Sequence, residues 1–135
     1  MKFLLSLIFV FAMIGISSAY GYGEISTTDF KIVNSFGEDI KFPVVQQQLN
    51  LETTLLNTGG KTTDWVYIVQ VINSDGAISD LNFVKGSLVK NQTLTAAVFW
   101  TPQTSGTYKI ETFVWDSLVG INPLAPMSTH VITVT

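Results

Sequence analysis

His130 is the one histidine of the 135-residue sequence, and cysteine is absent. A Ser-His-Asp arrangement would need a serine in a nucleophile setting, and no G-x-S-x-G occurs. His130 itself falls in an alternating apolar stretch near the end of the chain. Blue-copper chemistry requires two histidines and a cysteine, so composition excludes it. Thiolate metal sites, disulfides and cysteine nucleophiles are excluded with it. The acids Asp75, Asp80 and Glu38-Asp39 fall where calcium could be held in a loop, but the D-x-D-x-D-G spacing is missing. Asn73-Ser74-Asp75-Gly76 reads instead as a tight hairpin turn. No catalytic, cofactor or metal residue is expected, and the chain reads as a non-enzyme.

What remains is the chemistry of contact. Phe113 and Trp115 share the strand face of Lys109 and Glu111, opposite the set Tyr108, Ile110, Thr112 and Val114. If the central strand neighbours this one, Val66 and Ile68 lie beside them, making a larger apolar patch than a soluble monomer usually shows. Aromatic anchors of this kind suit a protein partner, a second copy of the chain or a sugar. The competing reading is that the N-terminal segment or a loop covers the patch. Asp116–Met127 is expected to be a long loop bearing Leu118, Val119, Ile121, Leu124 and Met127, with Pro123 and Pro126. Exposing so many apolar side chains is costly, so the loop is expected to cap the sandwich end. If it protrudes, it is the best contact for another protein. Asn91-Gln92-Thr93 is a glycosylation sequon in a turn, with Asn91 the acceptor.

The elements positioning these residues are strands. From Ile25 onward the pattern has period two, punctuated by turn signals every eight to twelve residues, with no amphipathic helical stripe. Phe30 and Ile32 line a first strand ending at Asn34-Ser35-Phe36-Gly37. A short return, Ile40 to Val45, contains Pro43 and belongs on an edge. Leu49, Leu51, Thr53 and Leu55 point one way on the next strand, which Asn57-Thr58-Gly59-Gly60 closes. Asp64 to Ile72 is apolar on both faces apart from Gln70 and is therefore central. Ala77 to Val84 follows. Leu94, Ala96, Val98 and Trp100 alternate inward, as do Tyr108 to Val114 and finally His130, Ile132 and Val134. The spacing matches an all-β, seven-stranded immunoglobulin-like Greek-key sandwich, residues 20–135, in one domain.

Residues 1–19 stand outside that fold. Lys2 is followed by the apolar run Phe3–Ile16 and by Ser17-Ser18-Ala19, the layout of a cleavable secretory signal peptide. The run is shorter than the roughly 20 residues a spanning helix needs. Beyond the leader, six lysines stand against ten acids, and arginine is absent. Such a chain is a poor nucleic-acid binder. A membrane association is expected only through an uncleaved leader.

Two stretches carry a family resemblance. Gln48 to Gly59, QLNLETTLLNTG, precedes the central strand and the NSDG hairpin, and Phe99 to Tyr108, FWTPQTSGTY, leads into the penultimate strand. Together they resemble immunoglobulin-like domains of bacterial and archaeal surface proteins, including the cell-adhesion-related (CARDB-like) group. Tyr108, two residues after Gly106, sits where a tyrosine corner would bond back to the preceding loop. The resemblance implies a secreted or cell-surface module that binds or assembles at the envelope, without cofactors. The partner would be an envelope or surface protein, another copy or a carbohydrate. A secreted protease inhibitor, using the Asn57–Lys61 and Asp116–Met127 loops from one end, is the rival on the same fold.

Overall fold

Threonine, valine, isoleucine and aromatic residues alternating with polar ones give seven strands and no helix in the computed structural model, which describes residues 23–135. The leader assigned to residues 1–19 lies outside the described residues. The strands are β1 (Ile25–Val33), β2 (Leu49–Asn57), β3 (Thr63–Ile72), β4 (Ile78–Leu88), β5 (Thr93–Trp100), β6 (Gly106–Trp115) and β7 (Pro123–Val134). They form two antiparallel sheets, ordered β1-β2-β5 and β4-β3-β6-β7. The all-β immunoglobulin-like sandwich read from the sequence is thus the fold observed. Relative to the constant-type immunoglobulin order, the fourth strand lies beside β3 in the second sheet.

The core lies between the sheets. Leu49, Leu51 and Leu55 of β2 with Ala96, Val98 and Trp100 of β5 meet Trp65, Tyr67, Val69 and Val71 of β3. Tyr108, Ile110 and Val114 of β6 complete that layer. Leu94, expected to point inward, stands at the open end of β5 and is 38% exposed. β3 is central and buried on both faces from Trp65 to Val69, as its double apolar pattern predicts. Gly86 of β4 is the place where the Trp65 ring packs, since a Cβ there would come within 2.8 Å of Trp65 Cζ2. Tyr108 makes the tyrosine corner, its hydroxyl donating to Thr104 O at 2.6 Å.

Two expectations need correcting. Ile40–Val45 is not a strand: beside an isolated bridge between Val33 and Asp39, Ile40 N donates to Ile32 O at 2.8 Å, and the rest of the segment turns to meet the chain end. There Val45 N donates to Thr135 O and Thr135 N to Pro43 O, each at 3.0 Å. Pro43 has no N–H to continue a ladder. Pro123–Met127, expected as loop, begins the edge strand β7. Its prolines are accommodated where the β6–β7 register shifts on either side of Val114.

Candidate interaction surface

The outer face of the four-stranded sheet brings together the predicted patch. Strand β3 pairs β6 so that Val66 faces Trp115 and Ile68 faces Phe113. On the other side β3 pairs β4, setting Lys85 beside Val66 and Phe83 beside Ile68. Alternation from Thr129, the partner of Glu111, puts Met127 of β7 on the same face. An apolar row, Phe83, Ile68, Phe113 and Met127, therefore crosses all four strands. Its ends are open, with Phe83 and Met127 each 52% exposed.

The middle of the row is packed. Val66 and Ile68 are buried, so they form the floor and not the contact itself. Phe113 and Trp115 are half-buried, their ring centroids 5.7 Å apart and their planes tilted by 57°. Phe83 escaped the sequence reading because β4 is irregular in its polarity, and Met127, expected on the contact loop, reaches the surface from strand β7 instead. The β3–β4 register is the signal that places Phe83.

The β6–β7 loop is the second part of the surface, and it is shorter than expected, 116–122. Asp116 braces it: Oδ1 accepts Ser117 N at 2.7 Å and Asn122 N at 2.9 Å, while Oδ2 accepts Asn122 Nδ2 at 2.9 Å. Those bonds, led by the Asn122 side chain, hold the Asp116 carboxyl below its ordinary pKa. Ser117 Oγ accepts Gly120 N at 2.7 Å and Ser117 O accepts Ile121 N at 3.0 Å. The loop does not cap the core. Val119 is 95% exposed, with Leu118 and Ile121 also exposed. Ile121 adopts φ 49°, a left-handed conformation that costs a β-branched residue about 1–2 kcal/mol. Leu124, assigned to this surface from sequence, belongs to the core instead, where the β7 strand turns it inward.

The loop stands at the same end as the β2–β3 loop, as expected. Asn57 organises that neighbour: its Nδ2 donates to Lys61 O at 2.8 Å and Leu88 O at 3.0 Å, and its Oδ1 accepts Gly59 N at 3.0 Å. A hollow of about 660 Å³, walled by Val66, Lys85, Gly86, Leu118 and Val119, connects the loop to the outer sheet face. Asn91 lies at this end too, exposed, with φ 65° in the β4–β5 turn. His130 points away from this surface and stacks on Phe30, with centroids 3.9 Å apart. Burial pushes its pKa down.

No protein-family model matches the sequence, and no curated protein does. Solved structures do match in fold. The C-terminal domain of Wzt superposes with a TM-score of 0.67 at 14% identity, over 84% of this chain and 74% of that one. The CARDB domain of a Pyrococcus furiosus protein gives 0.52 at 20% identity, over 84% and 91%. A β-glucuronidase from Bacteroides uniformis gives 0.60 at 14% identity over 81% of this chain, but only 12% of the enzyme. The CARDB-like resemblance thus holds at the level of the fold. That CARDB structure is a complex with di-metal ions. Among the described residues no three histidine or carboxylate side chains gather.

Proposed function

We propose that the protein is an exported, non-enzymatic binding or assembly module of the cell envelope, acting through protein–protein or adhesive contacts. The contact surface is the outer face of the β4-β3-β6-β7 sheet. One observation carries the reading: the row Phe83, Ile68, Phe113 and Met127 crosses every strand of that sheet and is open at both ends. Exposed apolar side chains scattered singly need no explanation, whereas Phe83 and Met127 are joined across the sheet by the half-buried Phe113 and the buried floor at Ile68, an apolar patch that marks an interaction site. The 57° tilt between Phe113 and Trp115 gives no shared flat platform for a sugar ring, which favours a protein partner. The CARDB-like fold supports the adhesive sense of the reading, and the leader supports export.

Sedimentation velocity over a hundredfold concentration range, paired with binding to envelope fractions, tests this in the parent chain and in Phe83→Lys. Phe83 is exposed, so the lysine leaves the core intact. Assembly or envelope binding that is lost in the variant is the expected result. A protein that stays monomeric and binds no envelope protein, or whose binding ignores the lysine, overturns the reading.

A further inference from the structure

The end of the sandwich bearing the β6–β7 loop is also the end where the chain enters the fold. Gly23 N donates to Leu124 O at 2.9 Å, fastening the entry point to the base of that loop. In the sequence, the apolar run Phe3–Ile16 precedes Gly23 by seven Cα steps. A fully extended chain covers at most about 25 Å in that distance. Strands of ten residues are about 33 Å long. If the run is retained, the surface that receives it lies within that reach of this end of the domain, whereas the Asn34–Gln48 and Asn73–Ala77 connections lie at the far end.

Four exposed apolar side chains stand at the near end, Leu118, Val119 and Ile121 on the loop and Val89 in the β4–β5 turn; Phe36, Phe42, Val44 and Ile78 are exposed towards the far end, beyond the reach of the entry point. Folding does not explain them. Glycine or asparagine would suit the left-handed position of Ile121 better, yet an exposed isoleucine occupies it. The Asp116 bonds brace the 116–122 loop and Gln92 Oε1 accepts Val89 N at 2.9 Å, so little ordering cost remains on docking. Lys61 and Lys90, both exposed, flank them with side chains long enough to reach headgroups while their stems lie along apolar surface. Glu24, Asp64 and Asp116 balance those charges at the same end, so the attraction is apolar and not electrostatic.

We propose that the 116–122 loop, with Val89, is a membrane-interface contact: it dips into the headgroup layer of the bilayer that receives Phe3–Ile16 and sets the domain upright on it. The proposal rests on an uncleaved leader, the one route to a membrane given above, and not on the sheet-face reading. It leaves that outer face perpendicular to the membrane and open to partners.

The absence of cysteine makes the test direct. The full chain carrying Val119→Cys or Ser74→Cys, each labelled with an environment-sensitive fluorophore, is reconstituted with phosphatidylcholine vesicles and recovered by flotation. Both positions are exposed, so labelling spares the core. The expected result is blue-shifted emission at 119, quenched by lipids bearing a headgroup-depth quencher, with neither effect at 74. A floating protein whose 119 label stays in water overturns the contact alone. A 119 label that is shielded but unreached by lipid quenchers overturns it in favour of a protein contact. Failure to float overturns the contact together with the membrane role of an uncleaved leader, and leaves the export reading standing.

Discussion

At the scale of single residues, Asn57 shows how much a turn signal can conceal. Asn-Thr-Gly-Gly is legible as the end of a strand because asparagine and glycine tolerate turn geometry. Its actual work is to tie three backbone segments together. The side chain is fully buried and satisfies Lys61 O, Leu88 O and Gly59 N, so it fastens the β2–β3 loop to the end of β4. Asn57→Ala leaves buried backbone groups unpaired and is expected to cost about 2–4 kcal/mol. Thr58→Ala removes only exposed bonds to Gly23 O and Glu24 O and should cost less than about 1 kcal/mol. Urea unfolding of the two variants checks the contrast, and equal costs would refute it. The tyrosine corner at Tyr108 could be anticipated, since its hydroxyl partner is local in sequence. The Leu88 partner of Asn57 is 31 residues away and depends on a register that sequence alone does not supply.

At the scale of elements, the seam between β1 and β7 is where the fold is least regular. Asp29, at φ 55°, interrupts β1, and its register with β2 shifts between Thr28 and Lys31. Phe30 is thereby brought onto His130 of β7, the rings stacked with planes 11° apart. His130 Nε2 is buried without a hydrogen-bond partner, and burial holds the imidazole below its ordinary pKa of 6.5. The unfolded chain therefore binds the proton first. Stability is fully present above pH 6.5 and declines as pH falls through the window below it. Urea midpoints between pH 7 and 5, above the range where carboxylates titrate, should fall for the parent and stay level for His130→Phe. Parallel curves would mean that another group titrates. The seam also marks the limit of pattern reading. Central strands such as β3 announce themselves because both faces are apolar. Edge segments do not: prolines at 123 and 126 suggested a loop, yet an edge strand needs donors on one side only and absorbs them at register shifts. The same weak edge logic gave Ile40–Val45 a strand it does not form, and it hid the exposed half of the contact row on β4 and β7.

At the scale of the whole molecule, two sheets must stay docked for the outer face and the loop-bearing end to keep their relative positions. Most of that docking is apolar, but a polar bridge crosses it at its centre. The Tyr67 hydroxyl of β3 lies 2.9 Å from Thr53 Oγ1 of β2, at the centre of the sandwich. Burial pushes the Tyr67 phenol up to about 12, because ionising it there would strand a charge between two sheets. In the unfolded chain the same phenol ionises near its ordinary value of 10.0. The unfolded state therefore releases the proton first as pH rises. The sandwich keeps this contribution in full below pH 10 and loses it progressively between 10 and 12. At about 1.4 kcal/mol per unit of pKa difference, the loss approaches roughly 3 kcal/mol. Tyr67→Phe abolishes the titration and removes the inter-sheet bond, so near neutral pH it should be less stable than the parent by about 1 kcal/mol. Its stability relative to the parent should then rise with alkalinity, and the two curves should converge and cross before pH 12. Urea unfolding of both proteins from pH 8 to 11.5 reads this directly. Lysines titrate equally in both and cancel in the difference. A constant offset would show that the phenol already reaches solvent in the folded protein, and that the sheets separate locally at the Thr53–Tyr67 bridge.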